Sequence, residues 1–102
     1  MHFEKVGILG SGIMGSGIAE VVAASGARVV VRSRTTASAD ALLAVLERSL
    51  ARQVAKGTRT REGADAVLAR VTVTSRLTDL ADCDLVIESV LEDLVVKKSL
   101  FN

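Results

Sequence analysis

The sequence predicts an α/β protein built on a parallel, doubly wound sheet, and three observations predict it. Short apolar segments, several of them β-branched, alternate with longer segments in which apolar residues recur at helical spacing. A cluster of glycines between Gly10 and Gly15 stands at the first junction between the two kinds of segment. The apolar 49% of the 102 residues comes mostly from Ala, Val and Leu, with Phe3 and Phe101 the only aromatic residues. Small side chains let helices approach a sheet closely, as buried parallel sheets require.

Lys5-Val6-Gly7-Ile8-Leu9 is a nearly continuous apolar run that stops at Gly10, the pattern of a strand buried on both faces. Met14, Ile18, Val21 and Val22 follow at helical spacing, and Gly26 is placed to cap the end of that helix. Arg28-Val29-Val30-Val31-Arg32 is brief and β-branched, so the chain up to Arg32 reads as β-α-β with a right-handed crossover. From Ser38, the residues Leu42, Leu43, Leu46, Leu50 and Val54 mark a long amphipathic helix that Lys56-Gly57 ends. Thr60 is placed to cap a further helix carrying Ala64, Val67 and Leu68, against which Gly63 counts by about 1 kcal/mol relative to Ala. Val71-Thr72-Val73-Thr74 alternates as a third strand with one face buried, and Asp84-Leu85-Val86-Ile87-Glu88 reads as a fourth, buried on both. The segment from Glu92 to Asn102 is read as the start of another helix.

Several function classes are excluded early. With 13 Lys and Arg against 12 Asp and Glu there is no electrostatic footprint for nucleic acid, and two phenylalanines make no stacking platform for bases. One cysteine makes no intrachain disulfide. No apolar run approaches the roughly 20 residues that span a bilayer, and residues Met1 to Lys5 carry no signal-type core, so no membrane partner and a cytoplasmic location are expected.

Gly10-Ser11-Gly12-Ile13-Met14-Gly15 is a GxGxxG pattern set between a predicted strand and a predicted helix. Gly10 permits the tight turn, Gly12 lets a pyrophosphate approach the backbone, and Gly15 lets the helix pack on the strand, while N–H groups at the helix start face the phosphates. Together with the β-α-β setting, this predicts a Rossmann-type dinucleotide-binding fold. The end of the second strand normally holds an acidic residue for the ribose hydroxyls, and that place falls on Ser33, between Arg32 and Arg34. A small hydroxyl residue followed by Arg34 suits a ribose 2′-phosphate, which a guanidinium binds and a carboxylate repels, so the cofactor expected is NAD(P) with a lean towards NADP. Ordinary solvated arginines at a loop remain the alternative.

These residues resemble the NAD-binding domain of 3-hydroxyacyl-CoA dehydrogenases. The resemblance rests on Lys5 to Ala19 with Met14 before Gly15, on Leu85-Val86-Ile87-Glu88-Ser89-Val90, and on Glu92-Asp93-Leu94-Val95-Val96-Lys97-Lys98 with Leu100-Phe101. It implies an oxidoreductase that interconverts 3-hydroxybutyryl-CoA and acetoacetyl-CoA by hydride transfer. It also implies that Glu92 and Lys97 lie near the cofactor, and that Ser49 and Lys56 on the long helix touch the CoA moiety. Ser33 departs from the family, which usually has Asp there and uses NAD. The family's catalytic His-Glu pair, with its assisting Ser and Asn, falls beyond Asn102, so no catalytic residue is expected within the chain, and His2, the single histidine, is read as an idle terminal residue. A non-catalytic nucleotide-binding or self-associating module, and a dehydrogenase of the related 3-hydroxyacid class, stay open beside this reading.

Residues 1–102 are therefore expected to be the N-terminal part of a dinucleotide-binding domain, truncated to about four strands with flanking helices, its catalytic and substrate region absent. Such truncation is expected to leave the fourth strand as an open edge or to expose an apolar helix face, and pairing through either predicts a homodimer. Asp79, Asp82 and Asp84 around Cys83 read as a polar strand entrance with a small buried cysteine, rather than a metal site. Arg59 and Arg61 beside Lys56 read as solvated helix-turn residues or as contacts for CoA phosphates. Glu88, at a strand end, is open to a site role or to a structural hydrogen bond.

Overall fold

The computed structural model describes residues 3–10, 13–89 and 94–97. In chain order these form β1 (Lys5–Leu9), α1 (Ile13–Ala24), β2 (Arg28–Arg32), α2 (Thr36–Lys56), α3 (Arg61–Ala69), β3 (Val71–Thr74), a 3-10 turn (Leu77–Leu80), β4 (Leu85–Ser89) and β5 (Leu94–Lys97). One sheet has the order β3-β2-β1-β4-β5. Its first four strands are parallel, with Val6 opposite Val29 and Leu85, and Val31 opposite Val73.

The alternation of strand side chains divides the core in two. On one face Ile8, Val29 and Val31 meet Ala19 and Ala23 of α1, Leu42, Leu46 and Leu50 of α2, and Ala64 and Val67 of α3. Alanines on α1 bring that helix close to β1 and β2, and the leucines at four-residue steps on α2 form its second layer. On the other face Val30 and Val86 pack against Leu80 and Cys83. Gly7 of β1 faces this layer, where an added Cβ would lie 2.9 Å from Leu80 Cδ2 and 3.1 Å from Cys83 Sγ. The chain thus winds from β1 to β3 on one face and returns from β3 to β4 across the other, which places the topological switch between β1 and β4.

Local sequence accounts for the ends of the elements. Thr35 caps α2 by accepting from the Ser38 N–H at 3.1 Å, so the helix begins two residues before the Ser38 expected. Gly57, at φ 77°, closes α2 with its N–H turned back to the helix carbonyls. Thr60 accepts from the Gly63 N–H at 3.0 Å. Gly63 therefore sits in the first turn of α3 rather than its interior, where a Cβ would stand 3.1 Å from the capping hydroxyl.

Three expectations need correction. Residues 94–97, read as helix, are β5, which pairs antiparallel to β4 with Ser89 opposite Leu94 and Val86 opposite Lys97. A short apolar run suits either state, and here β-branched Val95 and Val96 lie against the hydrogen-bonding edge of β4. That pairing also removes the expected open edge on β4 and adds a fifth, antiparallel strand to the four parallel strands expected. Val21, placed by its spacing on the buried face of α1, is 69% exposed, because Ala19 and Ala23 carry that face. The remainder of the segment expected to be helical, with Glu92, lies outside the described residues.

Candidate functional site

The carboxyl ends of β1, β2, β3 and β4 open onto one rim of the sheet, and the crevice between β1 and β4 is where such a fold receives a ligand. β1 ends at Gly10, whose φ of 101° only glycine adopts readily. Its N–H donates to the Arg32 carbonyl at 3.3 Å, which ties the turn to the end of β2. α1 starts three residues on, at Ile13, and Ser11 and Gly12 lie outside the described residues. Gly15 is buried in the first turn of α1; a Cβ there would stand 3.2 Å from the Gly10 carbonyl oxygen and 3.7 Å from Leu42 Cδ1. The third glycine of the pattern is thus the one that lets α1 sit directly over the turn. A backbone turn at positive φ with a helix N-terminus three residues on is a cradle that fits the pyrophosphate of a dinucleotide.

Ser33 follows β2 and is 2% exposed. Its N–H donates to the Thr74 carbonyl at 2.8 Å, and its hydroxyl is hydrogen-bonded to the Ser38 hydroxyl. Ser38 also bonds the Thr35 hydroxyl at 2.9 Å and donates to the Thr35 carbonyl at 3.1 Å. The Ser33 hydroxyl is therefore part of the capping network of α2. Of the flanking arginines, Arg32 donates through Nε to the Ser75 carbonyl at 3.2 Å, while Arg34 is exposed with no partner among the described residues. Glu88 stands in register with Leu9 at the carboxyl end of β4, beside the switch. Lys97 pairs with Val86, three residues along β5 from the rim, about 10 Å at strand spacing.

A second group of polar residues lies towards the far end of α2. Leu42 is level with Gly15, so Ser49 lies about 10 Å and Lys56 about 20 Å farther along the helix axis. The two share a face with Gln53, which the sequence reading passed over although its spacing of four from Ser49 and three from Lys56 marks it. The Gln53 Nε2 donates to Glu20 Oε2 on α1 at 2.9 Å and to the Ser49 hydroxyl at 3.3 Å, and its Oε1 accepts from Arg59 Nε at 2.7 Å. Arg61 is engaged elsewhere, with Asp65 at 2.9 Å. Lys56 is exposed.

The acidic residues around Cys83 serve the sheet. Asp84 accepts from the N–H groups of Glu4 and Lys5 at 2.9 and 3.1 Å, at the start of β1. Asp82 pairs with Lys5 at 2.7 Å, which holds its carboxyl below the usual aspartate range. Asp79 is lowered too, first by its hydrogen bond from Thr74 and then by the nearby Arg76. Burial pushes the Cys83 thiol up. No group of three or more His, Cys, Asp or Glu among the described residues is arranged to hold a metal ion. No helix among them is long and apolar enough to cross a membrane.

Comparison with known proteins agrees with this geometry. Residues 5–102 match the model of the family described as 3-hydroxyacyl-CoA dehydrogenase, NAD binding domain. The chain is 41% identical over 99 residues to 3-hydroxybutyryl-CoA dehydrogenase of Bradyrhizobium diazoefficiens, a match covering 97% of this chain and 34% of that protein. It is 43% identical over 98 residues to the 3-hydroxybutyryl-CoA dehydrogenase of Mycobacterium tuberculosis, covering 96% and 34%. The crystal structure of (S)-3-hydroxybutyryl-CoA dehydrogenase PaaH1 from Ralstonia eutropha superposes with a TM-score of 0.85 at 34% identity, over 90% of this chain and 32% of that one. The chain thus spans about a third of the length of the relatives it matches. With the glycine turn, the β1–β4 switch and a family match running almost end to end, the chain belongs to the NAD-binding domains of 3-hydroxyacyl-CoA dehydrogenases.

Proposed function

We propose that this chain is the cofactor-binding part of an oxidoreductase that interconverts 3-hydroxybutyryl-CoA and acetoacetyl-CoA. The observation that carries the reading is identity near 41% to a 3-hydroxybutyryl-CoA dehydrogenase across 97% of the chain, glycine turn included. NAD(P), when bound, supplies the hydride acceptor or donor. Residues Gly10, Ser11, Gly12, Ile13, Met14 and Gly15 cradle its pyrophosphate, and backbone N–H groups at the start of α1 take the phosphate charge. Glu92 and Lys97, on the strength of the family resemblance, approach the same cofactor. Ser49 and Lys56 contact the CoA moiety; their distance along α2 from the glycine turn suits a long ligand whose phosphates lie far from its reacting end. Proton transfer to the substrate oxygen needs an acid–base group. The single histidine, at position 2, is not assigned to it.

Within this reading the cofactor is NADP rather than NAD. No carboxylate stands after β2 to repel a 2′-phosphate, and the exposed Arg34 lies beside the capped start of α2. Titration of NADPH and NADH into the protein is expected to favour NADPH, and Ser33→Asp with Arg34→Ala to reverse the order; tenfold tighter NADH binding by the unaltered protein would defeat the assignment. The protein also pairs with a second copy as a homodimer, for which Val21, exposed among Gly17, Ile18 and Val22, offers an apolar surface. Sedimentation as a monomer at high concentration would remove that part of the reading. The overall reaction is tested by following NAD(P)H absorbance with acetoacetyl-CoA and the whole enzyme of which this chain is proposed as the cofactor-binding part, since the chain alone is expected to be inactive. No turnover with either nucleotide would refute it.

A further inference from the structure

We propose that Gln53 is a positioning residue that turns Arg59 and Ser49 into a phosphate-binding pair beside Lys56, so that Arg59 adds a second cation to the CoA end of the site. The inference rests on the CoA reading of Ser49 and Lys56 above. Gly57 reverses the chain at the end of α2, and the Thr58 N–H and hydroxyl both return to the Gln53 carbonyl, at 3.0 and 3.2 Å. That turn brings Arg59 back onto the face that carries Ser49, Gln53 and Lys56.

The Gln53 amide then settles which groups are left to bind a ligand. Glu20 is the nearby acid that would neutralise Arg59 if the two paired. Instead the amide stands between them, its nitrogen on the Glu20 carboxylate and its oxygen on Arg59 Nε. Arg59 makes no ion pair among the described residues, and with Nε fixed its two terminal nitrogens keep their donors for an anion. Ser49 accepts from the same amide, so the lone pair is the part of its hydroxyl that is used and the proton is left to donate. A hydroxyl proton, a guanidinium fork and the Lys56 ammonium on one face are the donors that a phosphate ester takes.

The test is titration of free coenzyme A into the intact protein, with NADPH and NADH titrations as controls for the distant glycine turn. Arg59→Ala is expected to weaken coenzyme A about fivefold, the size of one exposed charge contact, and to leave nucleotide binding unchanged. Gln53→Leu is expected to weaken it at least as much, since Ser49 loses its orientation too, and adding Arg59→Ala to that variant should cost little more. A merely structural role for Gln53 would weaken both ligands and leave the two substitutions additive. If Lys56→Ala weakens coenzyme A while Arg59→Ala does not, the role of Gln53 and Arg59 is overturned and the CoA reading stands. If neither Lys56→Ala nor Ser49→Ala has an effect, the CoA reading fails and the inference with it. Arg59 lies beyond the end of α2, so its variant carries the test should Gln53→Leu not fold.

Discussion

Replacing Gly15 by Ala tests whether the glycine pattern acts through the close approach of α1 to the turn. Taken alone, Gly→Ala within a helix stabilises by up to about 1 kcal/mol. At Gly15 the new methyl would stand 3.2 Å from the Gly10 carbonyl oxygen, a few tenths of an ångström inside ordinary contact, and the atom that must yield is backbone. The overpacking cost, about 1 kcal/mol at its smaller end, roughly cancels the helical gain, so little net change in Tm is expected. Cofactor affinity is another matter, because relief of the contact moves the turn that aims N–H groups at the phosphates. Loss of one charge-assisted hydrogen bond, about 1.5 to 3 kcal/mol, weakens the dinucleotide tenfold or more. Gly17 is the control on the same helix, exposed and with nothing within 4 Å of its Cβ position. Gly17→Ala should raise Tm by roughly 4 to 8 °C and leave affinity alone. Calorimetric titration of NADPH and NADH with parallel thermal melts reads both quantities. Unchanged affinity in Gly15→Ala, or equal losses in the two variants, would refute the argument.

Gly7→Ala should destabilise by about 1 to 3 kcal/mol, since its methyl meets buried Leu80 and Cys83 at 2.9 to 3.1 Å; a denaturant midpoint at or above that of the unaltered protein would show that the layer can yield. Acid should weaken the fold through Asp79 and Asp82. Both carboxyls are lowered in the folded state, so their contribution is present above about pH 4 and is lost as pH falls through the lowered values. Asp82→Asn should flatten that fall in a pH series of melts at low salt, and an unaltered slope would show that the Lys5 pair contributes nothing to it.

Much of the fold was legible because it follows from local chemistry. Leu42, Leu46 and Leu50 advertise one helical stripe, and Thr60 and Gly57 are cap residues whose geometry any chain with those neighbours would adopt. Gly10 and Gly15 could be read for the same reason, since each is a position where a side chain has no room or no allowed backbone angle. Val21 misled because periodicity marks a face without saying which residues on it meet a partner. Gln53 was missed because its spacing from Ser49 and Lys56 marks only the face it shares with them and not what its amide bonds. Its role depends on Glu20, 33 residues away, and on a loop that folds back past the helix end.

The sequence by itself determined the parallel β-α-β core, the glycine turn and the family, because strand and helix periods, caps and glycine angles are set within a few residues. Tertiary structure alone decided the pairing of β5 with β4, the burial of the Ser33 hydroxyl in the cap of α2, and the amide bridge from Glu20 to Arg59. Each of those joins groups from separate elements. A donor finds its acceptor only after packing has removed water and the other choices, and no local pattern encodes that step.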